Sequence, residues 1–464
     1  MTTTEPSPRP RLAMRRGAMD KIETPFGGDL LQRAAVADRL TRYIDRLPDG
    51  AVIALDAPWG EGKTWFGRHW EASLKARGHQ VGWIDAFQQD YAEDAFLLLS
   101  SAVLRLCTEH DSRTGQLKHR AGAVLRALLP VGTKALINLA GRAIGTTDLA
   151  DNVKEAMEAA SDKGAEAASD WIKGRLDQWE EEQQTVEHFR EALTAFTEAA
   201  FTATGKPVVI LIDELDRCRP AFAVGLIERI KHFFDVPKLI FVLLMNRDQL
   251  EKAIRGVYGG ETDAAAYLGK FLHLSLCLPK DRTRTEFNEQ SGVYAFVRSM
   301  LTQVGVTDHV FLNTFSVCAS VFDLSLRDIE RGCTLFALSE HQIPQLSAYL
   351  IALKLKRPEL FARLADPGQS GIEAHTACKA FLRAEVDTLT RQLGQPVSSR
   401  YQVPFPGSYL FALSLIHTLV AGSSDMDDAD PAKRDDHVYK ELGQLPGPLS
   451  ALMRVWRGLD LDVR

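Results

Sequence analysis

A glycine-containing loop that ends in a lysine and a threonine is the first feature of this sequence that suggests chemistry. It reads Ala-Pro-Trp-Gly-Glu-Gly-Lys-Thr from Ala57 to Thr64, between the apolar run 52–57 and a helical pattern that begins at Lys63. Backbone N–H groups of such a loop and of a helix N-terminus converge on phosphates, where the helix dipole favours negative charge. The pattern therefore predicts a phosphate-binding loop, with Lys63 at the β- and γ-phosphates and the Thr64 hydroxyl on Mg²⁺.

The loop departs from the pattern G-x-x-x-x-G-K-[ST] at its first position, where Ala57 replaces glycine. We treat this as a tolerated variant, because alanine costs little where the backbone is not left-handed. The alternative is a chance Gly-Lys-Thr between a strand and a helix. The residues expected to surround a nucleotide are Pro58, Trp59, Gly60, Glu61, Gly62, Lys63, Thr64 and Trp65.

An apolar run that ends in acids is the second chemical feature. Residues 208–218 read Val-Val-Ile-Leu-Ile-Asp-Glu-Leu-Asp-Arg-Cys. A run without alternation is typical of a strand buried on both faces of a parallel sheet, and ligands bind beyond the carboxyl ends of such strands. We expect Asp213 to bind Mg²⁺ and Glu214 to polarise the attacking water. The alternative is a core strand followed by a solvated turn. Together, loop and acidic run predict a nucleoside triphosphatase.

The elements that must position these residues form an α/β fold. Further apolar runs at 80–87, 238–245 and 273–278 alternate with helical patterns, which predicts a doubly wound parallel sheet with helices on both faces. A helical pattern from Leu30 to Leu47, with Asp29 as a candidate N-cap, precedes the first strand. Its expected place is either beside the nucleotide base or against the sheet.

Two polar residues at strand ends each have two interpretations. Asp85 either joins the Mg²⁺ network or caps the next helix, and we favour the cap. Asn246 either senses the γ-phosphate and orients water or caps a helix at 248–257, and we favour the sensor.

Composition and periodicity divide the chain into five segments. They are a tail at 1–28, the first part of the nucleotide-binding domain at 29–92, a helical insertion at 93–205, the second part of that domain at 206–283, and a helical lid and C-terminal helical domain at 284–464. In the lid, Arg327 either reaches a bound triphosphate or lies on a solvated helix surface, and we favour the triphosphate contact. Arg331 lies one turn later and is expected on a solvated surface.

The whole-chain composition fits a soluble globular protein in a reducing cytoplasm. Of 464 residues, 45% are hydrophobic and 25% charged, the net charge is −6, and six cysteines show no C-x-x-C pair. This balance argues against general attraction to nucleic acid or anionic membranes. The one long apolar stretch, 123–145, contains Arg126, Lys134 and Arg142. Each would cost about 2.5–3.5 kcal/mol in mid-membrane, so a membrane contact is not expected.

Several motifs in this order resemble those of KAP-family P-loop NTPases. They are the tryptophan-containing loop at 57–64, Ile-Asp-Ala-Phe at 84–87, Ile-Asp-Glu-Leu-Asp-Arg-Cys at 212–218, Tyr-Leu-Gly-Lys at 267–270 and Ser-Leu-Arg-Asp-Ile-Glu-Arg at 325–331. The resemblance implies Lys63 and Thr64 for phosphate and Mg²⁺, and Asp213 for Mg²⁺. It also implies a role in bacterial anti-phage defence. Glu214 departs from the family's frequent Asp and resembles hydrolytically competent ATPases.

The expected function is that of a Mg²⁺-dependent ATPase that acts as a nucleotide-controlled switch or assembly motor. The expected catalytic residues are Glu214, Lys63, Asn246 and Arg327, with ATP and Mg²⁺ bound. A homo-oligomer, or other proteins of the same operon, are the expected partners, and nucleic acid would be reached through a partner. Arg255 and Lys270 are candidates for a basic residue acting on a neighbouring subunit. The alternative is a nucleotide-binding scaffold without appreciable turnover.

Overall fold

The computed structural model describes most of residues 22–90, 193–279 and 291–393. Short gaps fall at 48, 232–235, 340–342, 365 and 367–368, and Leu99, Leu106, Glu187, Arg190, Glu191 and Leu459 are described singly. Most of the predicted insertion, including the stretch 123–145, lies outside the described residues. So do most of the tail and nearly all of the predicted C-terminal helical domain beyond residue 393.

Five strands form one parallel sheet, which confirms the predicted fold class. They are β1 (Ala51–Asp56), β2 (Val81–Asp85), β3 (Val208–Asp213), β4 (Leu239–Met245) and β5 (Leu274–Cys277). Their order in the sheet is β2-β3-β4-β1-β5. The acidic strand β3 therefore does not pair with the loop strand β1, because β4 lies between them and pairs with both.

Twelve helices are described. They are α1 (Ala34–Ile44), α2 (Lys63–Ala76), α3 (residues 193–204), α4 (Pro220–Ile230), α5 (Arg247–Tyr258), α6 (Ala264–Gly269), α7 (Gly292–Gln303), α8 (His309–Val321), α9 (Leu326–Leu338), α10 (Pro344–Lys356), α11 (Pro358–Arg363) and α12 (Gln369–Leu393).

Two predicted elements have different bounds in the structure. The strand expected over 80–87 ends at Asp85, and Phe87–Gln89 forms a 3-10 turn in which Phe87 is 47% exposed. The helix expected from Leu30 begins at Ala34. Its N-cap residue is Arg33, so the expectation of Asp29 at that position was wrong, although Oδ2 of Asp29 accepts from the N–H of Ala34 at 2.7 Å.

Alternating side chains of the central strands pack on opposite faces of the sheet, as period-two geometry requires. One face, which includes Ile210 and Phe241, packs with α3, α4, α5 and α6. The other face, which includes Leu211 and Val242, packs with α1 and α2. Burial of both faces explains why these strands are apolar without interruption. The result is a rigid sheet edge from which the functional loops emerge.

The helices after residue 291 form a second apolar cluster. Phe311, Phe315 and Phe336 lie at its centre, and the rings of Phe311 and Phe336 stack with centroids 3.5 Å apart. Gly332 lets α9 approach α8 closely, because a Cβ there would lie 2.2 Å from Cζ of Phe315. This cluster buries one side of α9, which we call the lid helix.

Candidate nucleotide-binding site

A cavity of about 510 Å³ opens where the phosphate loop, the end of β3 and the lid helix meet. Five segments supply its walls: the stretch before α1, the loop with the first turn of α2, the end of β3 with the residues after it, α7, and the lid helix. The lining residues include Asp29, Leu30, Arg33, Trp59, Gly60, Gly62, Lys63, Thr64, Trp65, Asp213, Glu214, Asp216, Arg217, Phe296, Met300 and Arg327. The cavity therefore joins residues more than 290 positions apart in the chain.

The loop backbone has the shape that a phosphate site requires. Gly60 and Gly62 have φ values of +87° and +73°, in the region that glycine enters without steric cost. Ala57 does not have a positive φ, and its N–H donates to the carbonyl of Met245 at 3.1 Å. The condition under which alanine was expected to be tolerated is thus met.

Lys63 lies at the N-terminus of α2 and contacts its own loop. Its Nζ donates to the carbonyls of Ala57 at 2.7 Å and Pro58 at 3.3 Å. Burial lowers the pKa of Lys63, while the nearby charges of Asp216 and Asp213 act in the opposite direction. The ammonium group is therefore held inside the loop, near Asp213 at the end of β3 and Asp216 just after it.

Thr64 and Asp213 form the pair expected to bind Mg²⁺. The Thr64 side chain hydrogen-bonds the carboxylate of Asp213, which also accepts from the N–H of Glu214 at 2.9 Å. Asp213 is 2% exposed, and burial raises its pKa to about 6. A buried carboxylate beside a hydroxyl is a set of hard oxygen donors, which is what Mg²⁺ prefers in phosphate sites. These residues fit the ion.

Glu214 turns the chain immediately after the strand. Its φ is +59°, which is uncommon for a residue with a side chain and is often found at functional sites. Its Oε1 lies 2.6 Å from Nη1 of Arg217, three residues later. The side chain therefore faces the cavity as an ion pair.

Asp216 and Arg217 are cavity residues that the sequence analysis did not select. The indole N–H of Trp59 donates to Oδ2 of Asp216, which links the phosphate loop to the acidic segment. The third acid of the run Asp-Glu-Leu-Asp could have indicated Asp216 as a site residue, but it was treated only as part of the family motif.

The lid helix contacts the phosphate loop directly. The N–H of Arg327 donates to the carbonyl of Gly60 at 3.2 Å. Ser325 and Asp328 form a capping box, which fixes the first turn of the helix at this contact. Arg331 is 63% exposed on its side chain and lies 3.6 Å from Asp328, which confirms the surface position expected for it.

Part of the cavity lining is apolar and aromatic, and it includes Trp65. Phe26 packs on Trp65 and His69, and its N–H donates to Nδ1 of His69 at 2.8 Å. Leu30, Phe296 and Met300 also line the cavity. The segment before α1 therefore contributes to the wall of the cavity. The contribution of α7 was not foreseen, because its sequence shows only helical periodicity.

Three predicted site residues do not line the cavity. Asn246 caps α5, with its side-chain oxygen accepting from the N–H of Gln249 at 3.4 Å. This contact is the one expected if Asn246 caps the helix, and it does not support the sensor role that we favoured. Pro58 contributes a carbonyl to Lys63, and Glu61 is buried at 3% exposure.

Asp85 caps the 3-10 turn by accepting from the N–H of Gln88 at 3.0 Å, which is the role that we favoured for it.

The two candidates for a residue that acts on a neighbouring subunit also lie away from the cavity. Arg255 is within 3.7 Å of Glu251 on the same helix, and Lys270 is exposed beside the ring of Tyr267. Within the part of the chain that the structure describes, no helix is long and apolar enough to cross a membrane.

A family model and a solved structure match this chain. The family model described as the KAP family P-loop domain matches residues 33–337. Among solved structures, the chain is similar to the Aeropyrum pernix ORC2 protein in its ADPNP–ADP complexes, with 13% identity, a TM-score of 0.33, and coverage of 95% of this chain and 97% of that one. No curated protein matches. The family match spans well over half of the chain, and the chain belongs to the KAP family of P-loop NTPases.

Proposed function

We propose that this protein is a Mg²⁺-dependent ATPase that acts as a nucleotide-controlled switch or assembly motor. The observation that carries the proposal is that one cavity brings together Lys63, the Thr64–Asp213 pair, Glu214 and the lid residue Arg327. Phosphoryl transfer to water depends mainly on positioning and charge neutralisation. The cavity contains groups of each required kind.

Each residue has a distinct role in this proposal. Lys63 places its positive charge on the β- and γ-phosphates, while the loop N–H groups hold the phosphate oxygens. Thr64 and Asp213 would hold Mg²⁺, which when bound neutralises charge on the phosphates. Glu214 orients and polarises the attacking water. Arg327 reports the presence of the terminal phosphate.

The switch part of the proposal follows from the lid contact. The N–H of Arg327 donates to the carbonyl of Gly60. A change in the conformation of the loop would therefore displace the first turn of the lid helix. Because α9 belongs to the C-terminal apolar cluster, a shift of this turn would move that cluster relative to the sheet. Work on a partner would be done through such a movement.

A second candidate function is a scaffold that binds nucleotide with little turnover. The observation that favours it is the ion pair between Glu214 and Arg217 at 2.6 Å. A carboxylate engaged in this way is a weaker base toward water, unless a partner or a second subunit draws Arg217 away. The anti-phage role implied by the family resemblance, oligomer formation and access to nucleic acid through a partner are parts of the proposal that fit either function.

Phosphate release from ATP and Mg²⁺, measured over a wide range of protein concentration, tests the proposal. We expect turnover that requires Mg²⁺ and is abolished in Lys63→Ala, which should also lose tight nucleotide binding. Turnover that rises faster than linearly with protein would show that an oligomer completes the site. Nucleotide binding without any phosphate release, alone or with operon partners, would favour the scaffold.

A further inference from the structure

Arg33 is the most completely buried charged side chain among the described residues. It immediately precedes α1, is 1% exposed, and lines the nucleotide cavity. Arginine is rarely buried unless its charge and donors are matched. The sequence analysis did not select it, because a single arginine before a helix has no local signature.

The two edges of the Arg33 guanidinium have different surroundings. On one edge, Nη1 donates to the carbonyl of Gly62 at 3.3 Å, directly before Lys63. On the other edge, Nε and Nη2 are buried and have no hydrogen-bond partner among the residues that the structure describes. These two nitrogens form a planar fork of parallel N–H donors, a geometry that matches two oxygens of a carboxylate or phosphate.

The acidic neighbours of Arg33 stabilise its charge but accept no hydrogen bond from Nε or Nη2. Burial lowers the pKa of Arg33, while Glu61 and Asp29 act in the opposite direction. Oδ2 of Asp29 accepts from the N–H of Ala34, the first residue of α1. The guanidinium therefore interacts with its acidic neighbours and with the carbonyl of Gly62. Its Nε and Nη2 are the donors that a bound ligand could satisfy. Leaving buried donors unmatched is costly, which favours a ligand that supplies acceptors.

We propose that Arg33 is a further nucleotide-binding residue whose Nε–Nη2 edge receives the α-phosphate. This inference rests on the proposed function, since it assumes that the cavity binds a nucleotide. Lys63 is placed at the β- and γ-phosphates, and the apolar and aromatic part of the cavity lining is suited to the base. The α-phosphate lies between these parts of the ligand. Adenine itself is a poorer match, because its N7 and N6 positions present one acceptor and one donor.

Titration with ADP and Mg²⁺ tests the proposal directly. We expect Arg33→Gln to weaken ADP binding by roughly 10- to 100-fold, as for loss of hydrogen bonds to a charged group. Arg33→Lys keeps the charge but not the fork, so we expect most of the loss to remain. Arg42→Gln, an exposed arginine on the same helix, is the matched control and should bind ADP as the wild type does.

The two diastereomers of ADPαS locate the contact on the ligand. A sulfur that replaces the oxygen facing the guanidinium accepts weaker hydrogen bonds, so the wild-type protein should prefer one diastereomer. The preference should be lost in Arg33→Lys, a variant that is useful even if Arg33→Gln does not fold. ADP affinity unchanged in both variants, or a diastereomer preference unchanged in Arg33→Lys, would overturn the assignment.

The outcome is separable from that of the proposed function. If the wild-type protein binds neither ADP nor ATP, the proposed function itself fails. If the wild type binds ADP and Lys63→Ala does not, while Arg33 variants bind normally, only the inference about Arg33 fails. Circular dichroism and thermal unfolding of each variant ensure that folded proteins are compared.

Discussion

The carboxylate of Glu214 and the guanidinium of Arg217 lie 2.6 Å apart on the wall of the nucleotide cavity. The left-handed backbone of Glu214 begins a 3-10 turn, Leu215–Arg217, that brings the two side chains together. The residue expected to activate water is therefore restrained by a neighbour in the same turn. This relationship makes Glu214 the most informative residue for deciding between turnover and binding alone.

Glu214→Gln is expected to bind ATP but to lose turnover by roughly 10²- to 10⁴-fold, the usual contribution of a general base. The amide keeps the shape of the side chain but cannot take a proton. Phosphate release and ATP titration measure the two effects separately. Glu251→Gln is the matched control, because Glu251 also pairs with an arginine, Arg247, at 2.8 Å, but outside the cavity. Normal turnover by Glu214→Gln would remove Glu214 from the mechanism.

Arg327→Ala is expected to lower turnover by about 10²- to 10³-fold, the scale for removal of one transition-state donor. Arg331→Ala should leave it unchanged, because that side chain is largely exposed and pairs only loosely with Asp328. Both substitutions remove one arginine from the same helix, so the comparison controls for charge and helix stability. Equal effects of the two substitutions on phosphate release would argue against a specific role of Arg327.

Gly60→Ala is expected to disrupt the contact between loop and lid. A Cβ at Gly60 would lie 2.6 Å from Oγ of Ser325, and its φ of +87° is unfavourable for alanine. We expect a loss of about 1–3 kcal/mol in unfolding free energy together with weaker ADP binding.

Gly256→Ala provides the comparison for Gly60→Ala. Gly256 lies inside α5 with nothing within 4 Å of an added Cβ, so the substitution should be neutral or stabilise by up to about 1 kcal/mol. Thermal unfolding and ADP titration of both variants make the test. Similar behaviour of the two would show that the loop and lid are not in close contact.

Gly332→Ala is expected to destabilise the packing of the lid helix on α8. The added Cβ would lie 2.2 Å from the ring of Phe315, which is fully buried. Overpacking of this kind typically costs about 1–3 kcal/mol. Gly225→Ala in α4, where an added Cβ meets nothing within 4 Å, is the control. Denaturant unfolding of both variants measures the difference, and equal stability would contradict the close approach of α8 and α9.

Asp213 should make stability depend on pH in the absence of Mg²⁺ and nucleotide. Burial raises its pKa from 3.8 to about 6, so the folded state disfavours the charged form. Stability is therefore expected to fall as pH rises from about 4 to about 7, by on the order of 3 kcal/mol for a shift of about two pKa units. Above this range the penalty is constant.

Denaturant unfolding across this pH range, with the wild type and Asp213→Asn compared, isolates the effect. The variant should lack the part of the slope due to Asp213, whereas Asp248→Asn, an exposed aspartate, should retain it. Mg²⁺ affinity of the nucleotide complex should rise with pH through the same range, because the ion needs the ionised carboxylate. Identical pH profiles for the wild type and Asp213→Asn would show that the carboxylate is not perturbed.

Local chemistry in the sequence determined the fold class, the loop and the acidic strand. Gly60, Gly62 and Lys63 form a recognisable motif because phosphate binding uses consecutive backbone groups. Strands β3 and β4 were identified because burial on both faces excludes polar residues from them. The cap formed by Ser325 also depends only on neighbouring residues.

Tertiary structure alone decided which distant residues meet. The insertion of β4 between β1 and β3 depends on how the connecting helices pack, which no local pattern specifies. Asn246 has the same sequence signature as a cap or as a sensor, and only its contact with Gln249 distinguishes them. The burial of Arg33 under Gly62 and the approach of Arg327 to Gly60 join segments 29 and 267 residues apart, and they arise only when α1 and the lid helix pack around the loop.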